Sequence, residues 1–119
     1  MNWEILKRRY FEADQSFQLD NLMLNLVRLQ LLADDGAQGA VAQYFVTESQ
    51  FFIEWTVPNF DLEADIAFAA ELVDLQRLLS QWKLGWSELW SDERQRFEIA
   101  AQARHWCSVI SSRKESLSD

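Results

Sequence analysis

One long run of helical periodicity lies in the second half of the sequence. Large apolar residues follow one another at alternating intervals of four and three, at Phe68, Leu72, Leu75, Leu79, Trp82, Trp86 and Leu89. This is the heptad spacing at which helices pack side by side with interlocking side chains. It predicts one long helix, with Asp61 as its N-cap, that provides the main packing face of a helical bundle.

Three of the six tryptophans, Trp82, Trp86 and Trp90, lie one helical turn apart near the end of this run. On a continuous helix their indoles share one side, where they either pack in the core or form an exposed apolar patch. Core packing is the ordinary outcome for aromatic residues at heptad positions. Gly85 lies inside the run, and we expect it either to kink the helix or to let another backbone approach closely.

Two further helices are predicted in the first third of the chain. Apolar residues from Trp3 to Phe17 follow the spacing of a short amphipathic helix, and residues 14–16 offer a break after it. The alternative is that the first helix runs straight into the second. Residues 19–32 form a helix that is apolar on most sides, which is typical of a central helix. Its narrow polar strip runs through Asn21, Asn25 and Arg28. Gly36 is available to end this helix in the left-handed conformation.

Residues 41–57 fit two structures. Strand-prone aromatic and β-branched residues flank the polar residues 48–50, as they would in a β-hairpin. A helical spacing fits as well, no Gly, Pro or Asn lies at the supposed turn, and an isolated two-stranded ribbon is only marginally stable. We therefore predict a helix that ends before Pro58, with the hairpin as the alternative.

The last helix is predicted to begin at residues 91–93, where a hydroxyl and two carboxylates suit a helix N-terminus. Small residues predominate in the middle of its apolar face, which consists of Phe97, Ala100, Ala103, Cys107 and Ile110. Small side chains allow a neighbouring helix to come close, and the bulky tryptophans are expected opposite them. The polar end, residues 113–119, is expected to fray.

Together these features predict an all-α fold, an up-and-down four-helix bundle with a short additional N-terminal helix. Only three Gly and one Pro occur in 119 residues, which leaves few sites for the turns of an all-β fold. A chain of this length is expected to form a single helical domain spanning residues 1–119.

The charge distribution disfavours several kinds of partner. A formal net charge of -8 repels both nucleic acid and anionic lipid, so neither is expected to bind. Residues 29–76 contain nine acidic residues and no Lys or Arg, whereas basic residues concentrate towards the two ends. We expect these ends to face the acidic middle within the fold or across a dimer. The alternative is an acidic docking surface for a basic partner.

Several features favour a cytoplasmic location. The most apolar segment, residues 19–32, is shorter than a bilayer-spanning helix. Charged residues interrupt the first positions, where a signal peptide needs an unbroken apolar stretch. The single cysteine, Cys107, cannot form an internal disulfide and suits a reducing compartment.

The sequence contains no recognisable catalytic motif. His105 and Cys107 are two residues apart and point in different directions on a helix, so they do not form a nucleophilic pair. The Glu-x-x-His motif of di-iron bundles, zinc-type Cys and His spacing, a phosphate-binding glycine loop and a nucleophile elbow are all missing. No metal or cofactor is expected. A carboxylate-metal enzyme is therefore the third hypothesis, and its candidate residues are Glu48, Glu71, Asp74, Glu98 and His105.

The leading hypothesis is a non-enzymatic interaction or regulatory protein that acts through a Trp-rich helical face and an acidic flank. Its partner is either a second copy in a homo-oligomer, with a homodimer expected, or another protein. The alternative is a helical bundle that binds a small molecule in a Trp-lined apolar pocket. The candidate interface or ligand-binding residues for these two hypotheses are Trp55, Trp82, Trp86, Trp90 and Trp106.

Overall fold

Six α-helices make up the computed structural model, which describes residues 2–61 and 63–118. They are α1 (Trp3–Glu12), α2 (Gln15–Ala33), α3 (Gly39–Thr56), α4 (Ile66–Leu84), α5 (Trp86–Ser91) and α6 (Glu93–Ser118), with a 3₁₀ turn at Val57–Asn59. No strand occurs within the described residues. The prediction of an all-α fold is confirmed, and the ambiguous segment 41–57 belongs to a helix rather than to a hairpin.

The central element is α2, as its apolar composition predicted. It packs along α6 on one side and α3 on the other, and α3 in turn packs against α4. The shortest dimension of the molecule, 21 Å, corresponds to two layers of helices. Four leucines on the inward side of α2 are completely buried: Leu19, Leu22, Leu26 and Leu29. Burial of each such side chain contributes about 2 kcal/mol to stability.

Short polar side chains separate α1 from α2, as predicted. Asn2 caps α1 by accepting the backbone N–H of Glu4 at 3.1 Å, and Asp14 caps α2 by accepting the N–H of Phe17 at 2.8 Å. The predicted apolar stripe of the first helix is wrong at its last position, because Phe17 lies in α2 and is exposed. At the other end of α2, Gly36 adopts the left-handed conformation with φ of 70°.

The predicted polar strip of α2 does not mark its solvent-facing side. Asn25 is completely buried, because its amide donates to the Glu48 carboxylate of α3 at 3.0 Å. Leu24, Val27 and Leu31 are exposed instead. The hydrogen bond compensates the desolvation of the amide, so the hydrophobic pattern alone misplaced this residue.

The long predicted helix is wrong at both ends. Asp61 does not cap it, because its side chain accepts the N–H of Glu63 at 3.0 Å in a turn, and α4 begins only at Ile66. The helix then ends at Leu84, and the chain turns at Gly85 before α5 begins. A Cβ at Gly85 would meet no atom within 4 Å, so the close-approach alternative is also wrong. Glycine costs about 1 kcal/mol relative to alanine inside a helix, which makes this position a ready breaking point.

Helix α6 starts where predicted, although Asp92 provides the cap by accepting the N–H of Arg94 at 2.9 Å. The predicted apolar face is wrong at Phe97, which is exposed, while its neighbour Ile99 is buried. A neighbouring helix was predicted to come close to the small residues of α6, and Ala103 is completely buried, as such an approach requires. The neighbouring helix is α2, however, and not the helix that carries the tryptophans.

The polar end that was expected to fray is helical through Ser118, and Asp119 lies outside the described residues. Arg113 forms an ion pair with Glu71 of α4, and Lys114 forms one with Asp20 of α2. These pairs fix the last turns of α6 against two neighbouring helices.

Candidate functional site

Trp86 and Trp90 lie in the core and bind the loop between α2 and α3. Each is 5% exposed, and their rings stack with centroids 5.0 Å apart and planes 21° from parallel. The Trp86 indole N–H donates to the Gly39 carbonyl oxygen, and the Trp90 indole N–H donates to the Gly36 carbonyl oxygen, both at 2.9 Å. Buried indoles need such an acceptor, and here the acceptors lie on the loop backbone.

The Arg96 guanidinium binds the same loop as Trp86 and Trp90. Arg96 donates to the carbonyl oxygen of Ala33 at 3.2 Å and to that of Trp90 at 2.6 Å. The Arg96 guanidinium occupies the space next to Gly36 where a Cβ would lie, and Trp90 occupies the equivalent space next to Gly39. Sequence reasoning missed Arg96, because its partners are main-chain oxygens that no side-chain pattern reveals.

The other candidate tryptophans lie elsewhere. Trp82 is buried near the end of α4, and Trp106 is half-buried in α6. Trp55 is buried in a separate aromatic cluster between α1 and α3, with its ring centroid 5.4 Å from Phe51 and 5.5 Å from Tyr10. The structure therefore brings Trp86 and Trp90 together and places Trp55 in a different cluster.

Trp86 lines a cavity of about 280 Å³ beside the Gly85 turn. Most of its other walls are polar or charged side chains: Gln43, Lys83, Ser87 and Glu88. This cavity differs from the Trp-lined apolar pocket that the sequence suggested.

The candidate carboxylates for metal chemistry are dispersed. Glu71 pairs with Arg113, Asp74 lies 3.5 Å from Arg77 on the surface, and both Glu98 and His105 are exposed on α6. Among the residues that the structure describes, no group of three or more His, Cys, Asp or Glu side chains is placed to hold a metal ion. Glu48 differs from the other candidate residues because it is buried, between α2 and α3.

Cys107 is half-buried between α6 and α2. Its thiol donates to the Met23 carbonyl oxygen at 3.6 Å and accepts the Gln30 amide at 3.8 Å. Burial raises the pKa of the Cys107 thiol, and the hydrogen bond from Gln30 opposes this shift to a smaller extent. Such a thiol is less reactive than a solvated one.

A cleft lined by both charged and apolar side chains lies between α1, α2 and α3. Its volume is about 200 Å³, and its lining residues are Leu6, Arg9, Tyr10, Phe17, Asn21, Asn25, Arg28, Glu48 and Phe52. Arg9 is exposed and Arg28 is half-buried, whereas Asn25 and Glu48 are buried. The cleft thus combines two guanidinium groups, a carboxylate and apolar side chains.

A chain of hydrogen bonds connects Arg28 to Glu48 in this cleft. Arg28 donates to the Asn25 amide oxygen at 3.2 Å, Asn25 donates to Glu48 at 3.0 Å, and the Tyr44 hydroxyl donates to the other Glu48 oxygen at 2.9 Å. Burial, together with the hydrogen bond to the Glu48 carboxylate and its negative charge, raises the pKa of Tyr44 to about 12. The Arg28 guanidinium also lies 5.1 Å from the centre of the Phe45 ring.

The wall that α1 contributes to the cleft is held by buried hydrogen bonds. The Gln18 amide donates to the Tyr10 carbonyl oxygen at 2.8 Å, and the hydroxyls of Tyr10 and Thr56 are hydrogen-bonded to each other. Burial raises the pKa of Tyr10 well above its usual range, and the hydrogen bond to Thr56 only partly offsets this shift. These contacts tie α1 to both α2 and α3.

The outer side of α2 forms a second surface feature, which we call the α2 face. It consists of Phe17, Leu24, Val27 and Leu31, which are 57%, 44%, 41% and 70% exposed. Positions 17, 24 and 31 are two helical turns apart, so these side chains form a stripe along the helix. Asp20 and Arg28 lie on the same side of α2, between the apolar residues.

Neither surface was predicted from the sequence, because Phe17 was placed in the apolar stripe of the first helix and Asn25 in the polar strip of α2. Among the described residues, no helix has both the length and the apolar character needed to cross a bilayer.

Comparison of the chain with family models, with curated proteins and with solved structures found no match.

Proposed function

We propose that this chain is a non-enzymatic interaction protein of the cytoplasm whose α2 face binds a second copy of the same chain. In this proposal residues 1–119 act as a single helical domain, and α2, α3, α4 and α6 form an up-and-down bundle with α1 as the short additional helix. The observation that carries the proposal is the stripe of four exposed large apolar residues on one side of the central helix. Exposed apolar side chains that are clustered and flanked by polar residues are typical of protein interaction sites.

The α2 face is self-complementary about Leu24. If two α2 helices pack antiparallel with a twofold axis at Leu24, residues equally distant from Leu24 lie opposite each other. Phe17, seven positions before Leu24, then faces Leu31 of the second copy, seven positions after it. Asp20, four positions before, faces Arg28 of the second copy, four positions after. Because of the twofold rotation, the contact of Phe17 with Leu31 and that of Asp20 with Arg28 each occur twice in the dimer.

Charge supports this orientation over others. Asp20 already forms an ion pair with Lys114, and Arg28 donates to Asn25, but a guanidinium carries five N–H donors and a carboxylate accepts several hydrogen bonds. Each copy has a formal net charge of -8, so electrostatic repulsion opposes association through faces that lack such opposite-charge pairs. The acidic flank predicted from the sequence would then contribute specificity by disfavouring alternative contacts.

The size of the α2 face supports a weak dimer. From Phe17 to Leu31 the helix rises about 21 Å, at 1.5 Å per residue. A contact of one helix with its copy is smaller than the standard protein interface of about 800 Å² per partner. We therefore expect a dissociation constant in roughly the micromolar range or above.

Trp86 and Trp90 have an indirect part in this proposal. Their indole N–H groups bind the carbonyl oxygens of Gly39 and Gly36, in the loop that directly follows α2. They hold the C-terminal end of α2, and with it Leu31, in a fixed position.

The experiment is a charge reversal measured by sedimentation velocity over a range of concentrations. Asp20→Arg places like charges opposite each other in the dimer, and so does Arg28→Asp, so each variant alone is expected to be monomeric. When the two variants are mixed in equal amounts, every charge pair across the interface has opposite signs again. The mixture should therefore form a heterodimer that neither variant forms alone.

Matched controls reverse exposed charges on α6, with Glu98→Arg and Arg104→Asp, and these variants should dimerise like the unmodified chain. Circular dichroism identifies any variant that fails to fold. Leu24→Glu is a second test, because it places two carboxylates together at the twofold axis. A strict monomer for the unmodified chain at millimolar concentration contradicts the proposal, as does a mixture of charge variants that stays monomeric.

A further inference from the structure

We propose that the cleft between α1, α2 and α3 binds a small zwitterion with an apolar body, of the class of free aliphatic α-amino acids. The ligand carboxylate would lie at the guanidinium groups of Arg9 and Arg28, and its ammonium group at Glu48. The cleft is complete within one copy of the chain, but it shares Phe17 and Arg28 with the α2 face, so ligand binding is measured at a concentration at which the chain is monomeric.

The first argument is the buried carboxylate. Glu48 is 9% exposed, and its described hydrogen bonds come from neutral donors, the amide of Asn25 and the hydroxyl of Tyr44. Removing a carboxylate from water is costly unless a positive charge or several donors compensate. A carboxylate has about four lone-pair sites, so Glu48 retains capacity for an ammonium group that enters from the cleft.

The second argument is the separation of opposite charges across the cleft. The two guanidinium groups come from α1 and α2, and the carboxylate comes from α3. Asn25 lies between Arg28 and Glu48 and bonds to both, so the two charges are held apart rather than paired directly. An anionic ligand alone would be opposed by Glu48, and a cationic ligand alone would be opposed by the arginines. A zwitterion satisfies both ends.

The third argument concerns shape and size. Leu6, Phe17 and Phe52 provide apolar contacts for a ligand side chain. A cavity of about 200 Å³ has the volume of about seven water molecules, at about 30 Å³ each. It is smaller than the usual pocket for a drug-sized ligand, which begins at about 300 Å³. This volume suits a single amino acid rather than a peptide or a nucleotide.

The experiment is isothermal titration calorimetry with leucine and two analogues that each lack one charge. N-acetyl-leucine lacks the ammonium group, and leucinamide lacks the carboxylate. Leucine is expected to bind. The affinity of each analogue is expected to be lower by a factor of roughly ten or more, which is the loss expected for one hydrogen bond to a charged group. Isoleucine, valine and methionine serve as further aliphatic probes.

Variants assign the two ends of the ligand. Arg9→Gln removes an exposed guanidinium and should weaken leucine binding roughly ten-fold without loss of thermal stability. Arg8→Gln is the matched control, because Arg8 is the exposed neighbour of Arg9 that does not line the cleft, and it should leave binding unchanged. Glu48→Gln keeps the shape of the side chain and should abolish the preference for leucine over N-acetyl-leucine.

The outcomes are decisive in each direction. Roughly ten-fold weaker binding in Arg9→Gln and unchanged binding in Arg8→Gln support the site, even if Glu48→Gln fails to fold. Equal binding of leucine and N-acetyl-leucine overturns the zwitterion assignment, since the cleft would then recognise only an anion. The absence of binding by every aliphatic amino acid at millimolar concentration overturns the proposal as a whole. Asp20→Arg, which disrupts the proposed dimer, should bind leucine with unchanged affinity, so that the failure of one proposal is distinguishable from the failure of the other.

Discussion

The buried position of Trp86 and Trp90 leads to a specific prediction about stability. Replacing a large buried aromatic residue by alanine costs about 3–5 kcal/mol, because the transfer free energy is lost and a cavity remains. Each indole here is 5% exposed and also donates one hydrogen bond, so we expect Trp86→Ala and Trp90→Ala to fall in this range. A domain of 119 residues has a total stability of roughly 6–18 kcal/mol, so either variant removes a large fraction of it.

The contribution of the hydrogen bond can be separated from that of the ring. Trp90→Phe keeps an aromatic ring against Trp86 but leaves the Gly36 carbonyl oxygen without its indole donor. We expect this variant to lose about 1–2 kcal/mol, less than the alanine variant. Because the two rings stack at 5.0 Å, the double alanine variant should also deviate from additivity by about 0.5–1.5 kcal/mol.

The measurement is urea unfolding followed by circular dichroism, at a protein concentration low enough to keep the chain monomeric. For a slope of about 2 kcal/mol per molar urea, the alanine variants should shift the midpoint downwards by about 2 M. Trp106→Ala is the matched control, since this tryptophan is only half-buried and should cause a smaller shift. A loss below about 1 kcal/mol for Trp86→Ala, combined with a change in oligomeric mass, would refute the core assignment and return this ring to the interface.

Three further predictions follow from individual contacts. Gly36→Ala should lower stability by about 1–2 kcal/mol in urea unfolding, because φ is 70° and the added Cβ would lie 2.5 Å from the Arg96 guanidinium carbon. The pKa values of Tyr10 and Tyr44 are raised in the folded state, so the unfolded chain loses its phenol protons first, and stability should fall as the pH rises above about 10. Absorbance of tyrosinate should accordingly appear in the native protein only above that pH, and a native titration centred at pH 10 would contradict it. Cys107 should react with an aromatic disulfide reagent much more slowly in the native protein than in urea, and equal rates would show that the thiol is not protected.

The sequence was informative about which residues are buried and less so about where helices end. Phe68, Leu72, Leu75 and Leu79 are buried as the heptad spacing predicted, and Trp82 and Trp86 remain buried on either side of the break. The helix breaks at Gly85, where a kink was one of the two expected outcomes. The sequence alone could not decide between them, because the cost of Gly85 in a helix, about 1 kcal/mol, is comparable to a single tertiary contact. The contacts that favour the turn include the bond from Trp90 to Gly36, which are 54 positions apart in sequence.

The candidate binding surfaces were harder to predict than the fold. The tryptophans were correctly singled out as unusual residues, but a spacing pattern does not show whether an indole N–H finds a backbone acceptor. The cleft depends on the pairing of Asn25 with Glu48, which are 23 positions apart on different helices. Either residue alone, on an amphipathic helix, is normally solvated.

Helix α2 departs from the amphipathic pattern in two opposite ways. It buries the polar Asn25 against α3, and it exposes Leu24, Val27 and Leu31 on its outer side. Burying a leucine contributes about 2 kcal/mol, and a single copy forgoes this contribution at Leu24 and Leu31. The two proposals account for the departures separately: a second copy covers the exposed leucines, and the cleft uses the buried amide and carboxylate to hold a zwitterion. Asp20→Arg tests the first and Arg9→Gln tests the second, and neither variant alters a residue on which the other proposal depends.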